Sequence, residues 1–283
     1  MQFADFTTVA ARYKVIFFDA FGVLKNYEGL LPGIERTFDW LRAEGKEFYV
    51  LTNDASRSPR ELAESYDRQG LRAITPDRII SSGMLAREYL DLKVHHGTVA
   101  YLGTENSAHY LESAELTTLP ISRVNLSDVA DINALVLLDD EGFDWNTDLN
   151  KTINLLRQRN IPVIVANTDA TYPVSDSRLA IAIGAVADML ETIVGKQFIR
   201  FGKPDAQLFM FAYEQLEHLG PVSKRDVLMV GDTLRTDILG GNKFGLDTML
   251  VLTGNTQPQD AEVRIQSTGI IPTYVCASVV IGS

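Results

Sequence analysis

Short apolar runs rich in β-branched residues alternate with segments of helical period along the whole chain. This alternation is typical of βα units arranged around a mainly parallel sheet, so the sequence predicts an α/β fold. The predicted strands are Val15–Phe18, Phe48–Leu51, Thr98–Leu102, Ala134–Leu138, Pro162–Ala166, Phe198–Phe201, Val227–Val230 and Thr248–Leu252.

Three of the helices between these strands have readable apolar stripes and end residues. One begins after Pro32 and ends at Gly45, where a left-handed cap is expected. A second is predicted from about Asn146 to Gln158. The third follows Pro204, a residue that fits the first turn of a helix.

The overall composition limits the class of protein and of partner. A chain of 283 residues with 46% hydrophobic residues can bury one large core or two ordinary ones. The net charge of −11 provides no basic surface, so neither a nucleic-acid partner nor a membrane partner is expected. The single cysteine, Cys276, precludes an internal disulfide and is expected to be a buried small hydrophobe. With no signal-peptide pattern at the amino terminus, a cytoplasmic protein is predicted.

Four of the predicted strands are followed by residues that can bind phosphate, bind a metal or attack an electrophile. Ligands of open α/β sheets bind beyond the carboxyl ends of the strands, so we expect the four segments to meet at one site. These segments are Asp19–Leu24, Thr52–Asp54, Gly202–Pro204 and Gly231–Asp237.

The side chains at these strand ends suit phosphoryl chemistry. Asp19 and Asp232 could hold Mg²⁺, which takes one or two carboxylates and binds substrate phosphate. A carboxylate can also attack phosphorus, provided that nearby donors such as Thr52, Asn53 and Lys203 neutralise the phosphoryl oxygens. Each residue alone has an ordinary structural explanation, as a turn aspartate, a helix cap or a surface lysine. Their occurrence together at strand ends favours a single site.

The four segments resemble the motifs of the haloacid dehalogenase-like superfamily of aspartate-nucleophile phosphohydrolases. The segments Leu51–Asn53, Phe201–Pro204 and Gly231–Ile238 are similar in particular to the NagD-like, type IIA subfamily. The resemblance implies a Rossmann-like parallel-sheet core, formed by residues 1–82 and 196–283. It also implies an inserted, smaller α/β cap domain at residues 83–195, which closes over the site and selects the substrate.

The resemblance also implies a role for each strand-end residue. Asp19 and Lys203 would be catalytic, with Asp19 as the nucleophile that forms an aspartyl-phosphate. Thr52, Asn53 and Lys203 would bind phosphate.

The metal implied by the resemblance is Mg²⁺. Its ligands would be Asp19, the backbone carbonyl of Phe21 and Asp232, and Asp237 would support the metal's shell.

Several segments of the predicted cap could face the substrate or form a homodimer surface. Asn167 and Asp169 lie in a segment similar to a substrate-facing cap loop. The acidic run Asp139–Glu141 could face the substrate, although a solvated turn is the favoured interpretation. The apolar run Leu179–Ala187 is predicted to be cap core, with a homodimer surface as the alternative.

Phe21 departs from the family pattern, which has a second aspartate at this position as general acid and base. The backbone carbonyl survives this change, but proton transfer worth about 10²–10⁴-fold is lost. Four outcomes are open: a slow phosphatase, replacement of the acid by Asp54 or Glu28, a transferase with a long-lived aspartyl-phosphate, or a silent binder. We favour a Mg²⁺-dependent phosphohydrolase of reduced or unusual activity on a small phosphorylated metabolite. The alternative is a catalytically silent module that binds such metabolites.

Overall fold

The computed structural model describes residues 3–112, 115–175 and 178–282. The chain divides into two compact units, each with its own sheet, and the predicted α/β fold is confirmed. The first unit comprises Met1–Thr52, Pro59–Ile80 and Lys203–Ser283, and the second comprises Asn53–Ser58 and Ser81–Gly202. The domain boundaries taken from the resemblance stay a prediction.

The strands are short, and most of them follow the predicted apolar runs. In chain order they are β1 (Val15–Phe18), β2 (Lys25–Asn26), β3 (Gly29–Leu30), β4 (Glu47–Thr52), β5 (Ile79–Ser81), β6 (Gly97–Leu102), β7 (Leu116–Pro120), β8 (Ile132–Leu137), β9 (Val163–Val165), β10 (Thr171–Ser175), β11 (Arg178–Ile181), β12 (Ile199–Arg200), β13 (Val227–Gly231), β14 (Asp247–Val251) and β15 (Tyr274–Cys276).

The α-helices of the described residues contain between five and twelve residues. They are α1 (Phe6–Ala10), α2 (Ile34–Ala43), α3 (Pro59–Arg68), α4 (Ser82–Lys93), α5 (Thr147–Gln158), α6 (Ile183–Val194), α7 (Ala206–Glu214), α8 (Leu239–Phe244) and α9 (Ala261–Thr268). Within the part of the chain that the structure describes, none of them combines the length and the apolar character needed to cross a bilayer.

The first unit contains a six-stranded sheet with the order β15-β14-β13-β1-β4-β5. From β15 through β4 each strand pairs with its neighbour in parallel. Strand β1 is buried along its whole length, as is expected of a central parallel strand covered on both faces. This burial explains why its sequence is a continuous apolar run rather than an alternating one.

The second unit contains a five-stranded parallel sheet with the order β12-β9-β8-β6-β7. Strands β10 and β11 form a separate antiparallel ribbon. The prediction that Leu179–Ala187 is cap core is wrong for its first part, because Leu179 and Ile181 on β11 are 66% and 51% exposed. The core residues of this run belong to α6, where Ile183 and Ala187 are buried. A homodimer surface here stays a prediction.

The predicted helix after Pro204 is present, but its start differs from the prediction. Helix α7 begins at Ala206, and Asp205 is its N-cap residue, whose carboxylate accepts from the backbone N–H of Gln207 at 2.8 Å. Pro204 therefore precedes the helix rather than forming its first turn. The cause is local, because an aspartate is a better N-cap residue than an N1 residue.

Cys276 lies on β15, the edge strand of the first sheet, and is buried there. Its thiol packs into the same apolar core as Phe6 and Val279. Burial raises the pKa of the thiol. The prediction of a buried small hydrophobe is confirmed.

Candidate active site

Two aspartates leave the carboxyl ends of neighbouring strands in the first sheet. Strand β1 pairs in parallel with β13, with Phe18 opposite Val230, and the backbone N–H of Asp19 donates to the Val230 carbonyl at 2.8 Å. Asp232 follows the last residue of β13 and emerges at the same edge of the sheet. The structure therefore brings the predicted carboxylates Asp19 and Asp232 together.

Asp237 joins this pair from the turn of π-helix over Leu234–Ile238. The backbone N–H of Thr233 donates to Asp237 Oδ2 at 3.0 Å, which orients the carboxylate toward the strand end. Carboxylate oxygens of Asp19, Asp232 and Asp237 all lie within 4.8 Å of one another. The three residues form one acidic cluster, and two of its members are fully buried.

Lys203 lies among these carboxylates and is only 2% exposed, so it is not a surface lysine. Its Nζ lies 2.5 Å from Asp19 Oδ1 and 2.7 Å from Asp237 Oδ1. Burial lowers the pKa of the ammonium, but the two carboxylates more than offset this effect, so the net shift is upward. Lys203 is therefore a fixed cation beside the predicted nucleophile.

The acidic cluster carries more negative charge than Lys203 can offset. Burial and the neighbouring carboxylates of Asp19 and Asp237 raise the pKa of Asp232 well above its usual range. Burial also raises the pKa of Asp237 to about 7, although Lys203 acts in the opposite direction. The donor set consists of carboxylate oxygens, the ligands that Mg²⁺ prefers. These residues therefore fit a hard divalent cation, which would supply the missing positive charge.

Thr52 is the last residue of β4 and is buried. Strand β4 pairs in parallel with β1, with Val50 opposite Phe18, so Thr52 reaches the same sheet edge as Asp19. A hydroxyl at this place is a suitable donor to a phosphoryl oxygen.

Phe21 stands in the turn between β1 and β2, where the family pattern has an acid. Its side chain is half-buried, and its backbone forms an isolated β-bridge with Lys25. The next residue, Gly22, has a positive φ of 78°, and its N–H donates to the Lys25 carbonyl at 2.7 Å. The turn is therefore held by its backbone rather than by the Phe21 side chain. Glu28, one candidate substitute acid, is exposed in the turn between β2 and β3, and its role stays a prediction.

Asn53 and the predicted substrate-facing loop are joined by hydrogen bonds within the second unit. The Asn53 amide donates to Asp169 Oδ1 at 2.9 Å and to Thr168 Oγ1 at 3.1 Å. Asn167 Oδ1 accepts from the Asp169 backbone N–H at 2.9 Å, which closes a local turn. The structure thus brings Asn53 and Asp169 together, and their predicted roles toward phosphate and substrate stay predictions.

The acidic run after β8 is not a fully solvated turn. Asp139 and Asp140 are half-buried, and only Glu141 is exposed. Burial, with Asp140 next to it, raises the pKa of Asp139 to about 6, and Asp54 adds a smaller effect of the same sign. Tyr172 donates its hydroxyl to Asp140 Oδ2 at 3.0 Å. Asp139 therefore carries an electrostatic cost when it is ionised.

We expect Asp139→Asn to raise the stability of the protein at pH 8 by about 1 kcal/mol, or about 2–4 °C in Tm. The folded pKa of about 6 lies above the usual value of 3.8. Below about pH 4 Asp139 is protonated and does not lower the free energy of unfolding. Above about pH 6 it is ionised in the folded protein and lowers that free energy by the full amount. The amide oxygen keeps the acceptor that Asp139 offers to the Asp140 N–H. Thermal unfolding from pH 4 to pH 8 measures the effect, with exposed Asp128→Asn as the control. A gain independent of pH would contradict it.

We expect Lys203→Met to destabilise the protein by about 3–5 kcal/mol at pH 8, because the buried carboxylates then lose their counter-charge. Urea unfolding of wild type and variant measures the loss, and Lys243→Met, at an exposed lysine, is the matched control. Adding Asp237→Asn to Lys203→Met should restore part of the stability, because it removes one of the two carboxylates that Lys203 contacts. Equal stability of Lys203→Met and wild type would show that Lys203 is not needed to balance this charge.

Sequence reasoning missed the loop after β14 as part of the site. The backbone N–H of Asn255 donates to Asp232 Oδ2 at 2.5 Å, and the Thr253 hydroxyl donates to the Gly22 carbonyl at 2.5 Å. Strand β14 was predicted, and the rule that sites lie at carboxyl ends points to the residues after it. The loop has no charged residue between Thr253 and Thr256, however, and so gave no chemical signal.

Comparisons with known proteins agree on one superfamily. A family model described as haloacid dehalogenase-like hydrolase matches residues 16–117, and a second, HAD-hydrolase-like model matches residues 200–280. The dihydroxyacetone phosphatase of Corynebacterium glutamicum is 31% identical over 261 residues, which cover 92% of this chain and 87% of that protein.

Two solved structures extend this similarity to the fold. A possible sugar phosphatase of the HAD superfamily from Cytophaga hutchinsonii is 63% identical, with a TM-score of 0.97 over 100% of both chains. A glycerol phosphate phosphatase from Mycobacterium tuberculosis, solved in complex with magnesium, is 25% identical with a TM-score of 0.78. That match covers 96% of this chain and 77% of the other.

Proposed function

We propose, from the premise that the chain belongs to the haloacid dehalogenase-like hydrolases of the NagD-like type and is a phosphatase of that superfamily, a more specific reaction. The protein hydrolyses a small phosphorylated metabolite through an aspartyl-phosphate at Asp19. The observation that carries the proposal is the cluster of Asp19, Asp232 and Asp237 around buried Lys203 at one edge of a parallel sheet. This arrangement offers a carboxylate nucleophile, a fixed cation and a metal-binding group in one place.

Asp19 is the proposed nucleophile because Lys203 holds it next to a permanent positive charge. The lysine contacts Oδ1, which leaves Oδ2 for attack on phosphorus. In the first step Oδ2 forms a bond to phosphorus, and the bond from phosphorus to the ester oxygen of the substrate breaks. In the second step water attacks the same phosphorus, which releases inorganic phosphate and regenerates the Asp19 carboxylate.

Lys203 and Thr52 are the proposed phosphate-binding groups of the first unit. The buried ammonium is a charge-assisted donor, and the Thr52 hydroxyl is a neutral donor at the same sheet edge. Asn53 follows Thr52 in the chain and is proposed as a third donor. Its backbone N–H and amide are the groups it can offer.

Asp19, Asp232 and the backbone carbonyl of Phe21 are the proposed ligands of Mg²⁺, with Asp237 in support. Mg²⁺, when bound, neutralises the phosphoryl oxygens so that a negatively charged nucleophile can approach phosphorus. The excess of buried carboxylates over lysine in the cluster supports this assignment.

Phe21 sets the proposed limit on the reaction. Without an acid at this position, an alkoxide leaving group must depart unprotonated or take its proton from water. We therefore propose that aryl and acyl phosphates, whose leaving groups are stable anions, react faster than alkyl phosphates. Glycerol phosphate and dihydroxyacetone phosphate, on which the named relatives act, are the first alkyl candidates.

A panel of phosphorylated compounds, assayed for phosphate release with and without Mg²⁺, tests the proposal. We expect release from p-nitrophenyl phosphate and acetyl phosphate that needs Mg²⁺ and stops with EDTA. Turnover that is equal in EDTA would contradict the metal-dependent mechanism.

The second candidate function is a catalytically silent module that binds phosphorylated metabolites. The observation that favours it is Phe21 in place of the acid, beside an otherwise complete set of phosphate and metal groups. The same panel separates the two functions, because a silent module would gain thermal stability with a ligand and release no phosphate.

A further inference from the structure

The loop after β14 contacts the proposed metal ligand Asp232, and β14 lies on the side of β13 away from β1. Strand β14 pairs in parallel with β13, with Leu250 opposite Gly231, so the loop leaves the sheet next to Asp232. We call residues Thr253, Gly254 and Asn255 the β14 loop. Three hydrogen bonds connect the β14 loop to Asp232, to Thr233 and to the turn that follows Asp19.

The first contacts fix the Asp232 carboxylate. Asn255 donates its backbone N–H to Oδ2 at 2.5 Å, and the Thr233 hydroxyl donates to Oδ1 at 2.8 Å. The Asn255 amide in turn donates to the Thr233 hydroxyl oxygen at 2.8 Å, which commits the hydroxyl proton to Asp232. Asn255 thus acts on Oδ2 through its backbone N–H, and its side chain acts on Oδ1 through Thr233. Each oxygen keeps a further lone pair for a cation.

The other contacts hold the turn that follows Asp19 against the same carboxylate. The Thr253 hydroxyl donates to the Gly22 carbonyl at 2.5 Å. A Cβ at Gly254 would lie 2.0 Å from Asp232 Oδ2 and 2.5 Å from the Gly22 Cα, so only glycine fits there. The β14 loop therefore packs directly on both Asp232 and the turn that follows Asp19.

We propose that Asn255 is a positioning residue for the divalent cation, because its backbone N–H and, through Thr233, its amide set the orientation of the Asp232 carboxylate. This inference rests on the proposed function, since it takes Asp232 to be a metal ligand. Groups that hydrogen-bond to metal ligands commonly change metal affinity by about 10–100-fold when they are removed.

The test is the Mg²⁺ dissociation constant, measured by titration calorimetry on the purified full chain without substrate. We expect Asn255→Ala to weaken Mg²⁺ binding about tenfold. Thr233→Val should have a similar effect, and the double variant should bind Mg²⁺ no more weakly than Thr233→Val alone, because alanine keeps the backbone N–H and removes only the amide that acts through Thr233. Asn154→Ala, which removes an exposed asparagine amide bonded to a helix carbonyl, is the matched control.

A second measurement separates positioning from general damage to the fold. We expect kcat of Asn255→Ala at saturating Mg²⁺ to stay within about twofold of wild type, while the Mg²⁺ concentration for half activation rises about tenfold. An unchanged Mg²⁺ dissociation constant in folded Asn255→Ala, or fully additive losses in the double variant, would overturn the inference.

Asp232→Asn distinguishes the failure of this inference from the failure of the proposed function. If Asp232→Asn abolishes Mg²⁺ binding and Asn255→Ala does not weaken it, only the proposed role of Asn255 is disproved. If wild type binds no Mg²⁺, or Asp232→Asn binds it equally well, both the proposed metal site and the proposed role of Asn255 are disproved.

Discussion

We expect Asp19→Asn to lower Mg²⁺-dependent phosphate release from aryl and acyl phosphates by at least about a thousandfold. The neutral amide is a poor nucleophile toward phosphorus and cannot form the aspartyl-phosphate. The side chain keeps its size, and Lys203 keeps its contact with Asp237 at 2.7 Å. The loss should therefore appear in kcat without a loss of the fold.

The matched control for this variant is Asp39→Asn, which makes the same change at an exposed aspartate of α2. Initial rates with p-nitrophenyl phosphate at saturating Mg²⁺ provide the comparison, and thermal unfolding verifies the fold of each variant. If Asp19→Asn keeps a tenth or more of the wild-type rate, another group attacks phosphorus and the proposed mechanism is wrong.

We expect Phe21→Asp to raise the turnover of alkyl phosphates by about 10²–10⁴-fold, the range for a well-placed general acid. The leaving alkoxide would then receive its proton from Asp at position 21, and the same carboxylate would accept a proton from the hydrolytic water. Phe21 is half-buried and lies outside the apolar core, and its turn is held by the backbone bond from Gly22 to Lys25. The substitution should therefore leave the turn intact.

The control for this gain is Phe21→Asn, which has the same shape as Asp but no acid. The comparison uses glycerol phosphate and p-nitrophenyl phosphate, because nitrophenolate leaves without a proton and should gain much less from the acid. Equal gains for Asn and Asp, or no gain on any alkyl phosphate by folded Phe21→Asp, would refute the missing-acid explanation. A wild type that is silent while Phe21→Asp is active would identify the natural protein as a binding module.

The central strands could be predicted from sequence because parallel strands buried on both faces are continuous apolar runs. Val15–Phe18 is predicted and observed with identical bounds, and all eight predicted runs overlap an observed strand. Some short or peripheral strands were not predicted, because their residues are half-exposed or exposed and follow no pattern. Strand β7, Leu116–Pro120, and the ribbon of β10 and β11 are examples.

The charged residues of the candidate site could be predicted from the sequence. The uncharged residues that hydrogen-bond to them could not. Asp19, Lys203 and Asp232 each follow an apolar run, so the topology of parallel sheets is enough to group them. Asn255 contributes a backbone N–H and an amide from an uncharged loop, and only the register of β14 against β13 shows that it reaches Asp232. The departure of Leu179 and Ile181 from the predicted core has a related cause, since hydrophobicity alone does not show which face of a ribbon is covered.

The burial of Cys276 allows selective labelling of the protein at an introduced cysteine. It is the one thiol in the sequence, and on β15 it is buried with a raised pKa, so alkylating and maleimide reagents meet an unreactive group while the sheet is intact. A cysteine introduced at an exposed position such as Leu179 would be the preferred target for a fluorophore or spin label, without prior removal of the native thiol. Reaction of Cys276 itself would then report that β15 has separated from the first sheet.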